Sequence, residues 1–340
     1  MKSENMNTHS QEINRAFHNI STGENMKYSF IIPMFNEEHD IEATVDRVLA
    51  QEHQYFEMEI ILIDDGSKDG TYRLCTERYA SNSAVQILHS EENRGVSHAR
   101  NIGVEASSGD VVIFLNADEL VEPDFLRRID QHYQKNADYV FPQTRVRNCN
   151  TAYGMFRDRY RLTKYSRPNT FMWSQGFSCR KELFIQAGGF SESYPGCGGE
   201  DWDFVSRLDM LYKNRVVDLN IVVKHTVPEK TKAVLWHMYN RGRGSSYYDL
   251  IYRKKSPYTY LLQLIVHIVA MCTVLVWDYR ILLCAAILVG ANAIYSGWKL
   301  CERGNKGVHY IVFFSIADKV IRYLGYSINM FKNLRLHEKR

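Results

Sequence analysis

The sequence predicts an α/β domain built on a mainly parallel sheet with helices on both faces, followed by a helical hairpin apolar enough for a membrane. Three observations carry this. From Tyr28 to Leu115, apolar runs of strand length alternate with segments of helical spacing. The fourth run, Val111–Leu115, stops abruptly at Asn116, Asp118 and Glu119, which puts oxygen-bearing side chains at the edge where open α/β sheets bind ligands. Beyond Pro257, Tyr258–Trp277 runs 20 residues and Ile281–Trp298 runs 18 with almost no charge. Such lengths suit helices that cross the hydrocarbon layer.

Tyr28–Met34 is the first strand, with Pro33 near its end. Asn36 is placed to cap the next helix, whose apolar face is Ile41, Val45, Val48 and Leu49. Glu59–Ile63 is the second strand, closed by Asp64-Asp65-Gly66-Ser67, and a helix begins near Asp69. Val85–Leu88 is the third strand. Gly95–Ser107 reads as a helix stopped by Gly109. This strand–helix order implies parallel pairing. From about Asp138 to Val227 the alternation weakens and aromatic and glycine-rich stretches appear, which predicts a mixed-sheet half that completes the same domain and carries acceptor contacts.

A chain of 340 residues with 45% hydrophobic and 24% charged residues is globular rather than disordered, and a net charge of +3 is too small for a nucleic-acid binder. The cysteines (Cys75, Cys149, Cys179, Cys197, Cys272, Cys284, Cys301) show no paired spacing, which suggests free thiols in a reducing compartment. Residues 1–26 are polar, without the apolar core of a signal peptide, and read as a mobile tail. Arg253, Lys254 and Lys255 precede the apolar pair, and Lys299, Arg303 and Lys306 follow it. Both flanks are then cytosolic, with the catalytic part on the cytoplasmic face of the membrane. The alternative is a buried hairpin of a soluble protein, because His267, Asn292 and Ser296 dilute the signal. Residues 308–331 carry Asp318, Lys319 and Arg322 and read as an amphipathic helix on the membrane surface.

Oxygen ligands after the fourth strand suit a divalent cation, Mg²⁺ or Mn²⁺, shared with substrate phosphates; an acidic turn is the simpler alternative. Four motifs then stand in order: Ile31-Ile32-Pro33-Met34-Phe35-Asn36-Glu37-Glu38, Ile63 through Thr71 with Asp64-Asp65-Gly66-Ser67, Asn93-Arg94-Gly95 through Ala99-Arg100-Asn101, and Leu115-Asn116-Ala117-Asp118-Glu119. Together they resemble the family 2 glycosyltransferases of GT-A fold, over roughly residues 27–245. Residues 246–340 are then the membrane-associated part.

The resemblance implies a nucleotide-diphosphate sugar as donor. Pro33, Glu37 and Asp65 would lie around its base, with Arg94, Arg100, Asn116 and Asp118 near the rest of the donor. Asp64-Asp65 as a tight turn, and Arg100 as a structural ion-pair partner, stay open. The family's metal motif is Asp-x-Asp-Asp, and this chain departs from it with Asn116 first and Glu119 last. Asp118, Glu119 and His225 are the implied metal ligands, although a lone histidine is often structural. Gly188-Gly189-Phe190 and Gly198-Gly199-Glu200-Asp201-Trp202-Asp203 resemble the acceptor-side segment. There Asp201 is the implied general base, or a helix cap, and Glu200, Trp202 and Trp173 lie beside the acceptor. Arg241-Gly242-Arg243-Gly244 resembles the family's basic segment near the diphosphate or lipid headgroups.

The Gln-x-x-Arg-Trp signature of processive synthases is absent, so one sugar per acceptor is expected, with inversion, onto a lipid-linked or glycan acceptor at the membrane. Two rivals stand beside this: a nucleotidyltransferase, which would carry a glycine-rich phosphate loop where Pro33–Glu38 lies, and a membrane-tethered scaffold that has lost its chemistry, for which Asn116 is the main support.

Overall fold

The computed structural model describes residues 26–51, 56–164, 173–194 and 198–252. Along the chain these form β1 (Lys27–Met34), α1 (Ile41–Leu49), β2 (Glu57–Asp64), α2 (Thr71–Tyr79), β3 (Val85–His89), α3 (Val96–Ala106), β4 (Val111–Phe114), β5 (Glu119–Val121), α4 (Phe125–Tyr133) and β6 (Tyr139–Val146). Then follow α5 (Ala152–Lys164), β7 (Ser178–Arg180), α6 (Lys181–Gln186), α7 (Glu200–Leu211), β8 (Arg215–His225) and α8 (Thr231–Tyr252). The polar tail, the apolar pair 258–277 and 281–298 and the amphipathic stretch 308–331 lie outside the described residues. Among the described residues no helix is long and apolar enough to cross a membrane.

One sheet holds the domain together, in the order β3-β2-β1-β4-β7-β6-β8-β5. The half read from strand–helix alternation is parallel, as expected: β2 beside β3, and β1 between β2 and β4. The second half is mixed, with β7 antiparallel to both β4 and β6, β8 parallel to β6, and β5 antiparallel to β8. Pro33 is tolerated inside a central strand because β4 pairs with β1 only as far as Ile31, so its missing N–H falls beyond the neighbour's end.

The period-two alternation of β1 divides the core. Phe30 and Ile32 face one layer with Val45 of α1, Cys75 of α2 and Phe125 of α4. Ile31 faces the other, with Ala99 of α3, Phe184 of α6 and Phe204 of α7. Burying both faces explains why these strands are almost wholly apolar. A third cluster, Val146, Tyr153, Phe156, Val234 and Met238, seats α5 and α8 beside the end of β6.

Two local expectations change. Asn36 does not cap α1; it sits at φ 58° in the left-handed region. Its N–H donates to Ser67 Oγ at 2.9 Å and its Oδ1 accepts from the Lys68 N–H at 2.7 Å, so it ties the loop after β1 to the loop after β2. Glu119 is not part of an open acidic turn but the first residue of β5, fully buried and paired across the ladder with His225.

Candidate active site

The ends of β1 and β2 supply the first wall. Asp64 is fully buried, with Oδ2 at 2.8 Å from His89 Nδ1. Asp65 spends both carboxylate oxygens on the loop ahead of α3: Oδ1 accepts the Arg94 N–H and Oδ2 the Gly95 N–H, each at 2.8 Å. A carboxylate has about four lone-pair positions, so lone pairs remain for a donor's base, but Asp65 already has a structural duty. Arg94 takes part through its amide, and its side chain is exposed. Pro33 is buried within β1. Glu37 is half-buried, and its carboxyl is pushed up to about 7 by burial first and then by the nearby charges of Asp118, Asp40 and Asp69. That coupling brings the loop after β1 to the acidic motif after β4.

The second wall centres on Arg100, projecting from α3 with only 4% of its surface exposed. Nη2 donates to Asn116 Oδ1 at 3.0 Å and Nη1 to Asp201 Oδ1 at 3.3 Å. Glu200 Oε1 lies 4.0 Å away, and the Phe190 ring packs against the guanidinium at 5.2 Å. Asn116 in turn donates from Nδ2 to Glu119 Oε1 at 2.8 Å. One continuous chain of side chains therefore runs Glu119–Asn116–Arg100–Asp201.

Asp118, Glu119 and His225 meet at the third wall. The Asp118 carboxyl is pushed up to about 6 by burial, against the pull of its own N–H; the Thr226 N–H next to His225 also bonds to it. Glu119 is raised well above the usual range by burial and then by Asp118. His225 is held well below its ordinary value by burial and then by Arg161 and Arg157, and is neutral. Its Nδ1 lies 3.0 Å from the Thr226 carbonyl, which can only accept, so Nδ1 carries the proton and Nε2 the lone pair. That Nε2 and Glu119 Oε2 are buried without a hydrogen-bond partner among the described residues.

A neutral imidazole with its second nitrogen already bonded is the form that ligates metals, and oxygen with imidazole nitrogen suits Mn²⁺. Asp118 and His225 therefore fit a divalent cation whose remaining ligands come from phosphate and water. The three-residue set expected from sequence is not preformed. Among the described residues no group of three or more His, Cys, Asp or Glu side chains is placed to hold a metal ion.

At the acceptor side, Gly198 (φ 101°) and Gly199 (φ 111°) turn the chain into α7. A Cβ on Gly199 would lie 2.5 Å from the Gly244 carbonyl oxygen, so only glycine lets α8 pass this close to Glu200 and Asp201. Asp201 is not the cap of its helix, a position held by Gly199, but the second residue of α7; its side chain is 19% exposed and faces Arg100. Trp202 packs edge-on against Tyr248 at 5.6 Å, and the Arg161 guanidinium lies over Trp173 at 5.7 Å.

Residues 29–191 match the sequence model described as glycosyl transferase family 2. This chain carries a family 2 glycosyltransferase domain. It is 30% identical over 113 residues to glycosyltransferase GlyG of Streptococcus pneumoniae, covering 33% of this chain and 37% of that protein. It is 33% identical over 100 residues to glycosyltransferase AglE of Haloferax volcanii, covering 29% and 33%. The matched stretches thus span about a third of these relatives' length. The fold is similar to that of the mannosyltransferase PcManGT of Pyrobaculum calidifontis, solved with GDP-Man and Mn²⁺, at TM-score 0.55 and 19% identity over 91% of this chain and 85% of that one. It is also similar to S. aureus TarS 1-349 solved with UDP-GlcNAc, at TM-score 0.51 and 15% identity over 91% and 92%. A mixed α/β sheet of GT-A kind is shared with both.

In the glycosyltransferase domain the sequence reading missed α5. Arg157 and Arg161 are four residues apart on one helical face, 5% and 9% exposed. Their charges bear on His225, and that of Arg161 also on Asp118 and Glu119. The spacing was the available signal, but nothing local says which wall that face meets.

Proposed function

We propose that the protein is an inverting glycosyltransferase that moves one sugar from a nucleotide-diphosphate sugar to an acceptor hydroxyl. The carrying observation is the Arg100 bridge. Its two terminal nitrogens reach Asn116 of the acidic motif and Asp201 of the acceptor-side motif at 3.0 and 3.3 Å, so both motifs border one site. The nucleotide sugars in the two solved neighbours support a donor of that class.

Asp118 and His225 would hold a divalent ion, which would neutralise the departing diphosphate. Asp201, part-exposed at the start of α7, takes the proton of the acceptor hydroxyl. The hydroxyl oxygen then bonds to the anomeric carbon as the bond to the diphosphate breaks on the opposite face, which inverts that centre. Glu37 and Asp65 lie at the base end of the donor; Glu200, Trp202 and Trp173 lie on the acceptor side. The acceptor we assign is lipid-linked, presented at the cytoplasmic face of a membrane that the segments 258–277 and 281–298 enter. That part rests on their length and flanking charge.

The test incubates the full chain with UDP-GlcNAc or GDP-mannose, Mn²⁺ and a polyprenyl-linked acceptor. Release of nucleoside diphosphate with sugar on the lipid, lost in Asp201→Asn, is the expected result. Release of pyrophosphate would instead point to nucleotidyl transfer.

A further inference from the structure

We infer that Arg100 is a positioning residue for the proposed base Asp201, and that Asn116 and Glu119 form a hydrogen-bonded donor–acceptor pair that leaves its guanidinium to Asp201. This rests on the glycosyltransferase reading above and adds to it a device that fixes the base.

Consider first where Arg100 can act. At 4% exposure its fork lies inside the wall, with Nη2 engaged by Asn116 and Nη1 by Asp201. The Phe190 ring packs against it at 5.2 Å. A residue so enclosed is poorly placed to grip a mobile phosphate, but well placed to hold a neighbouring side chain. Asp201 lies at 3.3 Å and Glu200 at 4.0 Å from the same nitrogen, so the guanidinium favours Asp201 of the two adjacent carboxyls.

The departures from Asp-x-Asp-Asp are then one feature. The amide of Asn116 is read unambiguously from its two partners. Its oxygen must face Arg100, which only donates, and its nitrogen must face the Glu119 oxygen. Aspartate at 116 would set a carboxylate oxygen against Glu119 and bring a third carboxyl to a guanidinium already near Glu200 and Asp201. The charge of Arg100 would be drawn toward position 116 and away from the base.

The test compares kcat with donor Kd from calorimetry, using UDP-GlcNAc or GDP-mannose, for Arg100→Lys, Asp201→Asn, the double variant, Asn116→Asp and Asn116→Asp with Glu119→Gln. A lysine cannot bridge both ends, so Arg100→Lys should lower kcat about 100-fold with donor Kd within about threefold. In the Asp201→Asn background the same change should cost less than about threefold further, because it acts through that residue. Glu119→Gln places an amide donor opposite the carboxylate at 116 and so restores a donor–acceptor pair with its direction reversed; thermal stability should therefore recover in the Asn116→Asp, Glu119→Gln protein. Its kcat should stay roughly tenfold or more below the parent, since the carboxylate at 116 still competes for Arg100. A weakened donor Kd with kcat retained in Arg100→Lys would overturn the inference, as would losses that multiply in the double variant. So would recovery of kcat along with stability in the paired variant. Full turnover in Asp201→Asn would remove the base itself, and with it the mechanism proposed above.

Discussion

The Asp65 carboxylate accepts the backbone N–H of Gly95 at 2.8 Å with one oxygen, while its other oxygen holds Arg94 at the same distance. These bonds join the end of β2 to the start of α3 across thirty residues of chain. Charge-assisted bonds of this kind are stronger than neutral ones. Asp65→Ala should therefore destabilise the domain by about 2 kcal/mol, read as a lower urea midpoint. An unchanged midpoint with lost nucleotide affinity would show that Asp65 serves the donor alone.

The Gly199–Gly244 approach gives a second prediction. Alanine at 199 would be strained at φ 111° and would strike the Gly244 backbone. Gly199→Ala should cost about 2–4 kcal/mol, the sum of a strained backbone and a displaced helix. Turnover should fall with it, because α8 braces the turn that carries Asp201. A variant with parental melting temperature and turnover would show that the contact is not needed.

Glu200 makes stability depend on pH. Burial first, and Asp201 second, push its carboxyl from 4.5 up to about 8. The folded chain therefore keeps a proton on Glu200 that the unfolded chain releases near 4.5. Its favourable contribution is complete below that pH and is lost as pH rises toward about 8. Glu200→Gln keeps the neutral shape at every pH. Relative to this variant, the parent should lose on the order of 3 kcal/mol between pH 5 and 9, measured by denaturant unfolding. A constant difference across that range would refute the assignment.

The neutral His225 and the adjacent Asp118 predict a linkage between metal and nucleotide. Mn²⁺ with UDP or GDP should raise the melting temperature more than either alone. At a hundredfold excess over Kd the gain approaches about 2.7 kcal/mol. Asp118→Asn and His225→Gln should each abolish the synergy while leaving the ligand-free melting temperature within a few degrees. Synergy retained in both variants would move the metal elsewhere.

Much of the first half was legible in the sequence because β1, β2 and β4 carry long buried runs, β3 pairs at the edge beside β2, and helices of regular spacing lie between them. β5 and β7 were not legible. Each has three residues, too few to display a period, and each exists because β8 or β4 is there to pair with it. Glu119 shows the consequence. Read locally it belongs to an acidic turn; in the sheet it starts a buried strand opposite His225.

By itself the sequence determined the parallel half-sheet, the order of the four motifs and the residue types gathered at its rim, since all of these follow from spacing along the chain. Which charge meets which was decided only by the tertiary structure. Arg100 and Asp201 are 101 residues apart, and Asp65 reaches amides 29 and 30 residues away. A carboxylate's partner is set by distance and burial, neither of which a linear pattern contains. So Asp65 became a clamp on a loop, and Asn116, a missing ligand on paper, became one end of the bridge that reaches Asp201.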